Sequence, residues 1–256
     1  MNKDLKLVSR DTLLKRMHDH IFTVMSRYKG LINGWDVVNE ALEDNGSLKN
    51  TLWYKIIGRD YIEKAFEFAH EADPNAELYY NDYSLTNPVK RDSALAFIKS
   101  LKAKGLRVDG VGEQGHYQLM YPKIEEVDSL IEKFSKLKIK VMFTELDISV
   151  LPFKEGMMWG ADLSKSAELK KELDPYTSFF PDSMQTKLAN RYADLFRVFK
   201  KHKNVVNRVT IWGVYDGQSW LNYWPIRGRT NYPLLFDREY KPKPAYYAVL
   251  HVGENI

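Results

Sequence analysis

The sequence predicts an α/β protein in which a parallel sheet is covered by helices on at least one face. Five short apolar segments each end in polar residues and are each followed by a segment with helical periodicity. No turn signal of the kind that joins two antiparallel strands separates them. The chain has 256 residues, of which 44% are hydrophobic, so it can fill a sizeable core.

The elements alternate along the chain. Apolar positions at Leu14, Met17, Ile21 and Val24 follow the 3.6-residue period and predict an amphipathic first helix, for which Ser9 or Asp11 is a plausible N-cap. The predicted helices span residues 11–28, 60–72, 89–104, 123–137, 183–201 and 244–250. The predicted strands span residues 31–38, 77–83, 108–116, 140–148 and 208–216.

The connections carry further information. No strand is followed by a glycine-rich phosphate loop, which argues against a nucleotide-binding doubly wound fold. The only long irregular segment, residues 151–181, follows the fourth strand. Loops of this length in compact domains are usually functional, and we expect this one on the catalytic face.

Composition excludes several classes of function. The 38 basic and 34 acidic residues leave a mild net charge of +4, and no lysine or arginine cluster is interleaved with aromatic residues as in nucleic-acid surfaces. The absence of cysteine excludes disulfides, thiolate metal sites and cysteine nucleophiles. The first residues lack the apolar core of a signal peptide, and no segment reaches membrane-spanning length.

Two strands deliver a glutamate to the same edge of the predicted sheet. Residues 31–38 lead into Asn39 and Glu40, and residues 140–148 carry Glu145. The carboxyl ends of parallel strands are where β/α enzymes place catalytic groups. A carboxylate pair is the usual equipment for cleaving a glycosidic bond, and the 6 Trp, 16 Tyr and 12 Phe suit stacking on sugar rings.

Seven stretches form a recognisable set: WDVVNEA (35–41), YNDY (80–83), GEQGH (112–116), TELDI (144–148), WGVYDGQSW (212–220), PLLFD (233–237) and KPKPA (241–245). The first five resemble the strand ends, and the last two the C-terminus, of glycoside hydrolase family 10, the endo-β-1,4-xylanases. The resemblance implies a single catalytic domain over residues 1–256 with a TIM (β/α)8 barrel fold. It also implies that this chain begins at about the third helix, carries strands 4–8 and lacks the first three β/α units.

The resemblance assigns the two glutamates. Glu40 is expected to be the general acid/base, which requires a pKa raised by an apolar, tryptophan-lined setting and by the other carboxylate. Glu145 is expected to be the nucleophile, kept ionised by hydrogen-bond donors. A retaining pair places its carboxyl groups about 5–5.5 Å apart.

Further polar residues are implied to support this pair. Asn39 resembles the residue that binds the 2-hydroxyl of the sugar. His116 and Asp147 resemble a polar pair that orients the nucleophile, and Gln114 is expected to reach the same site. Glu113 replaces a residue that is usually apolar, so its charge would need a partner.

Aromatic residues are implied to form the walls of the cleft. Trp212 and Trp220 resemble the rings at the subsite of cleavage. Asn81 and Tyr83 are expected on the aglycone side, with substrate contact and core packing weighed equally. Trp224, Arg227 and Arg229 belong to a loop for which a position near the cleft rim is the alternative and a solvated loop is the expectation.

The expected partners are xylan and xylo-oligosaccharides, with no nucleic acid and no membrane. No cofactor and no metal are implied, since the six histidines are scattered and His18 and His20 lie on different faces of a helix.

Two alternative functions stay open. A truncated chain with open sheet edges would be weakly active or inactive, binding sugar and requiring self-association or a complementing fragment. A barrel of the same clan could also act on another β-linked glycan. The compartment is undetermined, although a full-length parent is expected to be secreted or part of the cell envelope.

Overall fold

The computed structural model of the chain describes residues 7–152 and 171–254. Its helices are α1 (Arg10–Arg27), α2 (Leu52–Ile57), α3 (Tyr61–Ala72), α4 (Pro88–Ala103), α5 (Ile124–Ser135), α6 (Asp182–Lys201) and α7 (Pro244–Glu254). Its strands are β1 (Gly34–Asn39), β2 (Glu77–Asp82), β3 (Gly110–Glu113), β4 (His116–Gln118), β5 (Lys140–Ser149) and β6 (Val206–Ile211). None of the described helices is long and apolar enough to cross a membrane.

The predicted alternation is observed, with local differences. The first strand begins at Gly34 rather than at Leu31, which is 78% exposed. The predicted strand over residues 108–116 is two strands, because Gly115 adopts a φ of 82° that interrupts the extended backbone. The short helix α2 was not predicted. Most of the long segment 151–181 lies outside the described residues.

The chain divides into two compact units. Unit 1 comprises Met1–Gln114 and Ser129–Met142, and unit 2 comprises Gly115–Asp128 and Phe143–Ile256.

Unit 1 contains the parallel strands β1, β2 and β3. The register pairs Asn39 with Asn81 and Asp82 with Glu113, so the polar residues that end these strands lie at one edge. Gly110 is required within β3, because a Cβ there would come within 2.2 Å of the Tyr79 ring. The helices α3 and α4 cover this sheet and bury their apolar faces.

A fully buried ion pair ties α4 to the end of β2. Lys90 and Asp82 are both 0% exposed, and the Lys90 Nζ lies 3.0 Å from the Asp82 Oδ1. Asp82 also accepts a hydrogen bond from the Tyr80 hydroxyl and one from the backbone N–H of Tyr83. Burial raises the pKa of Asp82, although Lys90 opposes that effect.

Replacing Lys90 by methionine is expected to lower the free energy of unfolding by about 3–5 kcal/mol, because it leaves a buried carboxylate without its counter-charge. Urea unfolding of Lys90→Met and of Lys99→Met, which removes an exposed charge from the same helix, measures the difference. A loss below about 1 kcal/mol would mean that the pair barely exceeds its desolvation cost.

Unit 2 is built on the second half of β5. β4 pairs with it in parallel, with His116 opposite Asp147, and β6 is its other neighbour. Phe143 of β5 packs on Phe199 of α6 at 4.1 Å between ring centroids. These contacts place the polar end of β5 at the same edge as His116.

A buried polar network holds the segment that follows β6. Asp216 is 0% exposed; its Oδ1 accepts from the Leu234 N–H at 2.9 Å, and its Oδ2 accepts from the Lys243 ammonium at 2.8 Å. Asn222 donates to the backbone oxygens of Asp216 and Ser219 at 2.9 Å. The network therefore fixes the two short 3-10 turns, Asp216–Gln218 and Trp220–Asn222.

Candidate active site

Glu40 directly follows β1 in an unusual backbone conformation. Its φ is 56°, in the left-handed region that non-glycine residues seldom adopt, and its N–H donates to the Asn81 oxygen at 2.8 Å. Such strain costs about 1–3 kcal/mol and clusters at functional sites. The conformation is held by the pairing of β1 with β2.

Gln114 and Lys49 of unit 1 bind the Glu40 carboxylate. The Gln114 Nε2 donates to Oε1 at 3.0 Å, and the Lys49 Nζ lies 3.3 Å from Oε2. Partial burial acts to raise the pKa of Glu40, but the hydrogen bond from Gln114 and the charges of Lys49 and Lys90 outweigh burial, so the pKa lies below its ordinary value.

The direction of this shift corrects the expectation of a raised pKa. The expectation assumed that apolar side chains surround the Glu40 carboxyl group. Trp53 does line a cavity of about 460 Å³ beside Glu40. However, within unit 1 the groups that contact the carboxylate are the amides of Gln114 and Asn39 and the ammonium group of Lys49, and these donors favour its ionised form.

Amide side chains continue from Glu40 across the strand ends. The Asn39 Oδ1 accepts from the Asn81 Nδ2 at 2.9 Å and from the Gln114 Nε2 at 3.3 Å. Asn39 itself is exposed. Its carbonyl is thus used within the protein, and its amide nitrogen is the group directed at Glu40, 3.5 Å from Oε1.

Tyr83 lies next to this cluster, and two lysine ammonium groups lie near its ring. The Lys90 Nζ lies 3.3 Å from the centroid of its ring, and the Lys49 Nζ lies 4.8 Å from it. Both ammonium groups are within the range of a cation–π interaction.

Glu145, His116 and Asp147 form a hydrogen-bonded chain in unit 2. The His116 Nε2 lies 3.3 Å from the Glu145 Oε2, and its Nδ1 lies 3.0 Å from the Asp147 Oδ1. The Trp220 indole donates to the other Asp147 oxygen at 2.7 Å. Asp147 is 0% exposed, so these bonds fix the orientation of the imidazole.

The charge of His116 follows from its neighbours. Burial acts to lower its pKa, but the hydrogen bonds and charges of Asp147 and Glu145 outweigh burial and raise the pKa to about 9. At neutral pH the ring is therefore protonated, and both of its nitrogens donate.

This shift predicts a pH-dependent stability. Because the folded-state pKa lies above the ordinary value of about 6.5, protonated His116 stabilises the fold fully below that pH, and the contribution is lost as the pH rises through about 9. Urea unfolding at about pH 6 and about pH 9.5 should show wild type losing on the order of 3 kcal/mol more than His116→Asn. An equal loss in both proteins would contradict the assigned shift.

Comparison with known proteins identifies the family. The sequence profile of glycosyl hydrolase family 10 matches residues 1–252. This chain belongs to glycosyl hydrolase family 10. Endo-1,4-beta-xylanase A of Xylanibacter ruminicola is 46% identical over 253 residues, which cover 99% of this chain and 68% of the relative. An endo-1,4-beta-xylanase of Geobacillus stearothermophilus is 41% identical, over 96% of this chain and 70% of the relative.

A solved structure gives the same result. The GH10 endoxylanase retrieved from a sugarcane soil metagenome superposes with a TM-score of 0.92 at 44% identity, covering 99% of this chain and 72% of its own. The family and its structural neighbours have the TIM-barrel fold, so the fold class predicted from the sequence is confirmed.

The aromatic residues that resemble the cleft walls of family 10 are both close to His116. Trp220 lies 4.8 Å from the imidazole between ring centroids, and Trp212 lies 6.5 Å from it. Trp212 is 44% exposed. An exposed indole beside a polar cluster is available for stacking on a sugar ring.

Glu113 meets the expectation that its charge needs a partner, whereas Arg229 differs from the expectation of a solvated side chain. Glu113 is 1% exposed, and its Oε2 accepts from the backbone N–H of Leu85 at 2.7 Å, so the charge has the partner that it requires. Arg229 is only 6% exposed and donates to the Pro152 oxygen at 2.7 Å. The expectation of a solvated loop over residues 224–229 is therefore wrong at Arg229.

Sequence reasoning missed Lys49 and Lys90, the two cations of the Glu40 cluster. Lys49 lies in a polar loop and Lys90 lies in the first turn of α4, positions where lysine is ordinarily solvated. The available signal was weak: both belong to the segments that directly follow matched motifs.

Proposed function

We propose that this chain is a retaining endo-1,4-β-xylanase that hydrolyses internal β-1,4 bonds of xylan through a glycosyl-enzyme intermediate. Glu145 acts as nucleophile and Glu40 as general acid/base. The single observation that best supports this is the chain from Asp147 through His116 to Glu145, which gives one carboxylate an oriented cationic donor. The two relatives described above, 46% and 41% identical to this chain, are endo-1,4-beta-xylanases by name.

The two carboxylates would work in two steps. In the first step the Glu145 oxygen forms a bond to the anomeric carbon while the glycosidic bond breaks, and Glu40 gives its proton to the leaving oxygen. In the second step Glu40 takes a proton from water as the water oxygen displaces Glu145. The configuration at the anomeric carbon is inverted twice and hence retained.

The remaining residues receive supporting roles. His116 and Asp147 orient Glu145, and Asn39 binds the 2-hydroxyl of the sugar, a contact that strengthens in the transition state. Gln114 orients Glu40 by its hydrogen bond of 3.0 Å. The other proposed contacts are Trp212 and Trp220 at the cleaved subsite, and Asn81 and Tyr83 on the aglycone side.

Proton NMR of xylohexaose hydrolysis tests the reaction class directly. A retaining enzyme releases the β-anomer first, and the α-anomer then appears by mutarotation. First appearance of the α-anomer would overturn the mechanism, and absence of cleavage at internal bonds would overturn the endo-specificity.

A second proposal is that the chain binds sugar but turns over little until a further strand pairs with β1. In the described residues β1 pairs through one edge only, with β2. The Trp35 indole nitrogen of β1 is buried without a hydrogen-bond partner in the same residues. An open parallel edge is a site for pairing with another chain.

One sample distinguishes the two proposals. The solution mass of the purified chain and the release of reducing ends from xylan are measured together. A monomer with high turnover would contradict the second proposal. Activity that appears only with self-association, or on addition of a complementing fragment, would support it.

A further inference from the structure

The loop that follows Glu40 folds back on itself and returns Lys49 to the carboxylate. Leu42 and Leu48 form an antiparallel bridge, and the backbone N–H of Lys49 donates to the Ala41 oxygen at 2.8 Å. Gly46 permits the reversal with a φ of 80°. The backbone pairing of the loop therefore fixes where the Lys49 side chain starts and brings its ammonium group to Glu40.

The Lys49 ammonium has two contacts at the site. It lies 3.3 Å from the Glu40 Oε2 and 4.8 Å from the centroid of the Tyr83 ring. The Lys49 side chain is 20% exposed. Partial desolvation strengthens both the ion pair and the cation–π contact relative to a fully exposed pair.

The other groups of unit 1 near Glu40 offset its negative charge less than Lys49 does. Gln114 at the end of β3 is neutral. Lys90 from α4 is already paired with Asp82 and also lies 3.4 Å from an Asp44 oxygen. His20 of α1 and Tyr61 of α3 line the cavity beside Glu40. Among the described residues of this unit, Lys49 is the cation in ion-pair contact with Glu40.

We propose that Lys49 is a positioning residue that sets the balance between the acid and base forms of Glu40 in the two steps of catalysis. The proposal rests on the proposed acid/base role of Glu40. Lys49 favours the ionised carboxylate, which the second step needs to accept a proton from water, and opposes the protonated form, which the first step needs. The pKa of Glu40, held below its ordinary value, agrees with this role.

The test compares two substrates that differ in their need for a proton. The first-step rate, reported by kcat/KM, depends on protonated Glu40 for phenyl β-xylobioside, whose leaving group is poor. It does not depend on that proton for 2,4-dinitrophenyl β-xylobioside, whose leaving group departs as the anion. The alkaline limb of the kcat/KM profile therefore reports Glu40 only with the phenyl substrate.

In Lys49→Met the alkaline limb for the phenyl substrate is expected to move to higher pH, raising kcat/KM on that limb by about two- to fivefold, the effect of a partly exposed ion pair. The profile for the dinitrophenyl substrate should not move. Lys49→Arg, which keeps the charge, should restore the wild-type profile. Lys55→Met, which removes an exposed charge from α2, should resemble wild type.

Two results separate the failure of this proposal from the failure of the proposed function. If the phenyl profile of Lys49→Met equals that of wild type while Glu40→Ala loses activity on phenyl β-xylobioside, the role of Lys49 is overturned alone. If Glu40→Ala keeps that activity, the acid/base assignment itself is wrong. A shift of both substrate profiles in Lys49→Met would indicate a general structural effect and would also overturn the role of Lys49.

Discussion

Replacing Glu145 by alanine is expected to lower the turnover of xylan by on the order of 10⁴- to 10⁶-fold, the effect of removing an essential catalytic side chain. The reason is chemical: the substitution removes the proposed nucleophile, so no covalent intermediate would form. His116 would also lose the anion that its Nε2 contacts at 3.3 Å. Reducing ends released from xylan measure the loss. Glu125→Gln, which neutralises an exposed carboxylate of α5, is the matched control and should remain active.

A trapping experiment identifies the nucleophile independently of the loss of activity. With 2,4-dinitrophenyl 2-deoxy-2-fluoro-β-xylobioside, the Glu145 oxygen forms the bond to the anomeric carbon as dinitrophenolate leaves. The electron-withdrawing fluorine then slows hydrolysis of the ester. Mass spectrometry of peptides should locate the sugar on Glu145. A label on another residue, or full activity in Glu145→Ala, would refute the assignment.

The helices were predictable where burial imposes a period. The apolar residues of α1 gave its bounds to within one residue, and Ser9 caps it by accepting from the Thr12 N–H at 3.3 Å. The helix α2 has only six residues, and its Leu52 and Trp53 are exposed, so it has no apolar period to detect. The break between β3 and β4 depends on the positive φ of Gly115, and the sequence does not distinguish this glycine from Gly110 and Gly112, which lie within β3.

Some residues of the candidate site could be predicted from the sequence and others could not. Glu40, which directly follows β1, and Glu145, which lies within β5, could be proposed from the sequence because the strands themselves position them. Lys49 reaches Glu40 through a loop whose Leu42–Leu48 bridge has no sequence period. The direction of the pKa shift at Glu40 could not be predicted either, since it depends on which side chains approach the carboxylate.

Replacing Glu40 by alanine is expected to have an effect that depends on the substrate. With xylan, whose leaving group needs a proton, turnover should fall by about 10²- to 10⁴-fold, the range for loss of a general acid. With 2,4-dinitrophenyl β-xylobioside the first step needs no proton and should proceed nearly as in wild type. The second step still lacks its general base, so the glycosyl-enzyme on Glu145 should accumulate and give a burst of dinitrophenolate.

Azide distinguishes loss of the acid/base from general damage to the site. It attacks the anomeric carbon of the intermediate without a base, forming the carbon–nitrogen bond as the ester to Glu145 breaks. Added azide should therefore raise the steady-state rate of Glu40→Ala on the dinitrophenyl substrate and yield a β-xylobiosyl azide. Gln114→Ala is a useful companion, because it removes the 3.0 Å hydrogen bond to Glu40 but leaves the carboxylate. It should lose activity on xylan without any response to azide, and an azide response equal to that of Glu40→Ala would place the general base elsewhere.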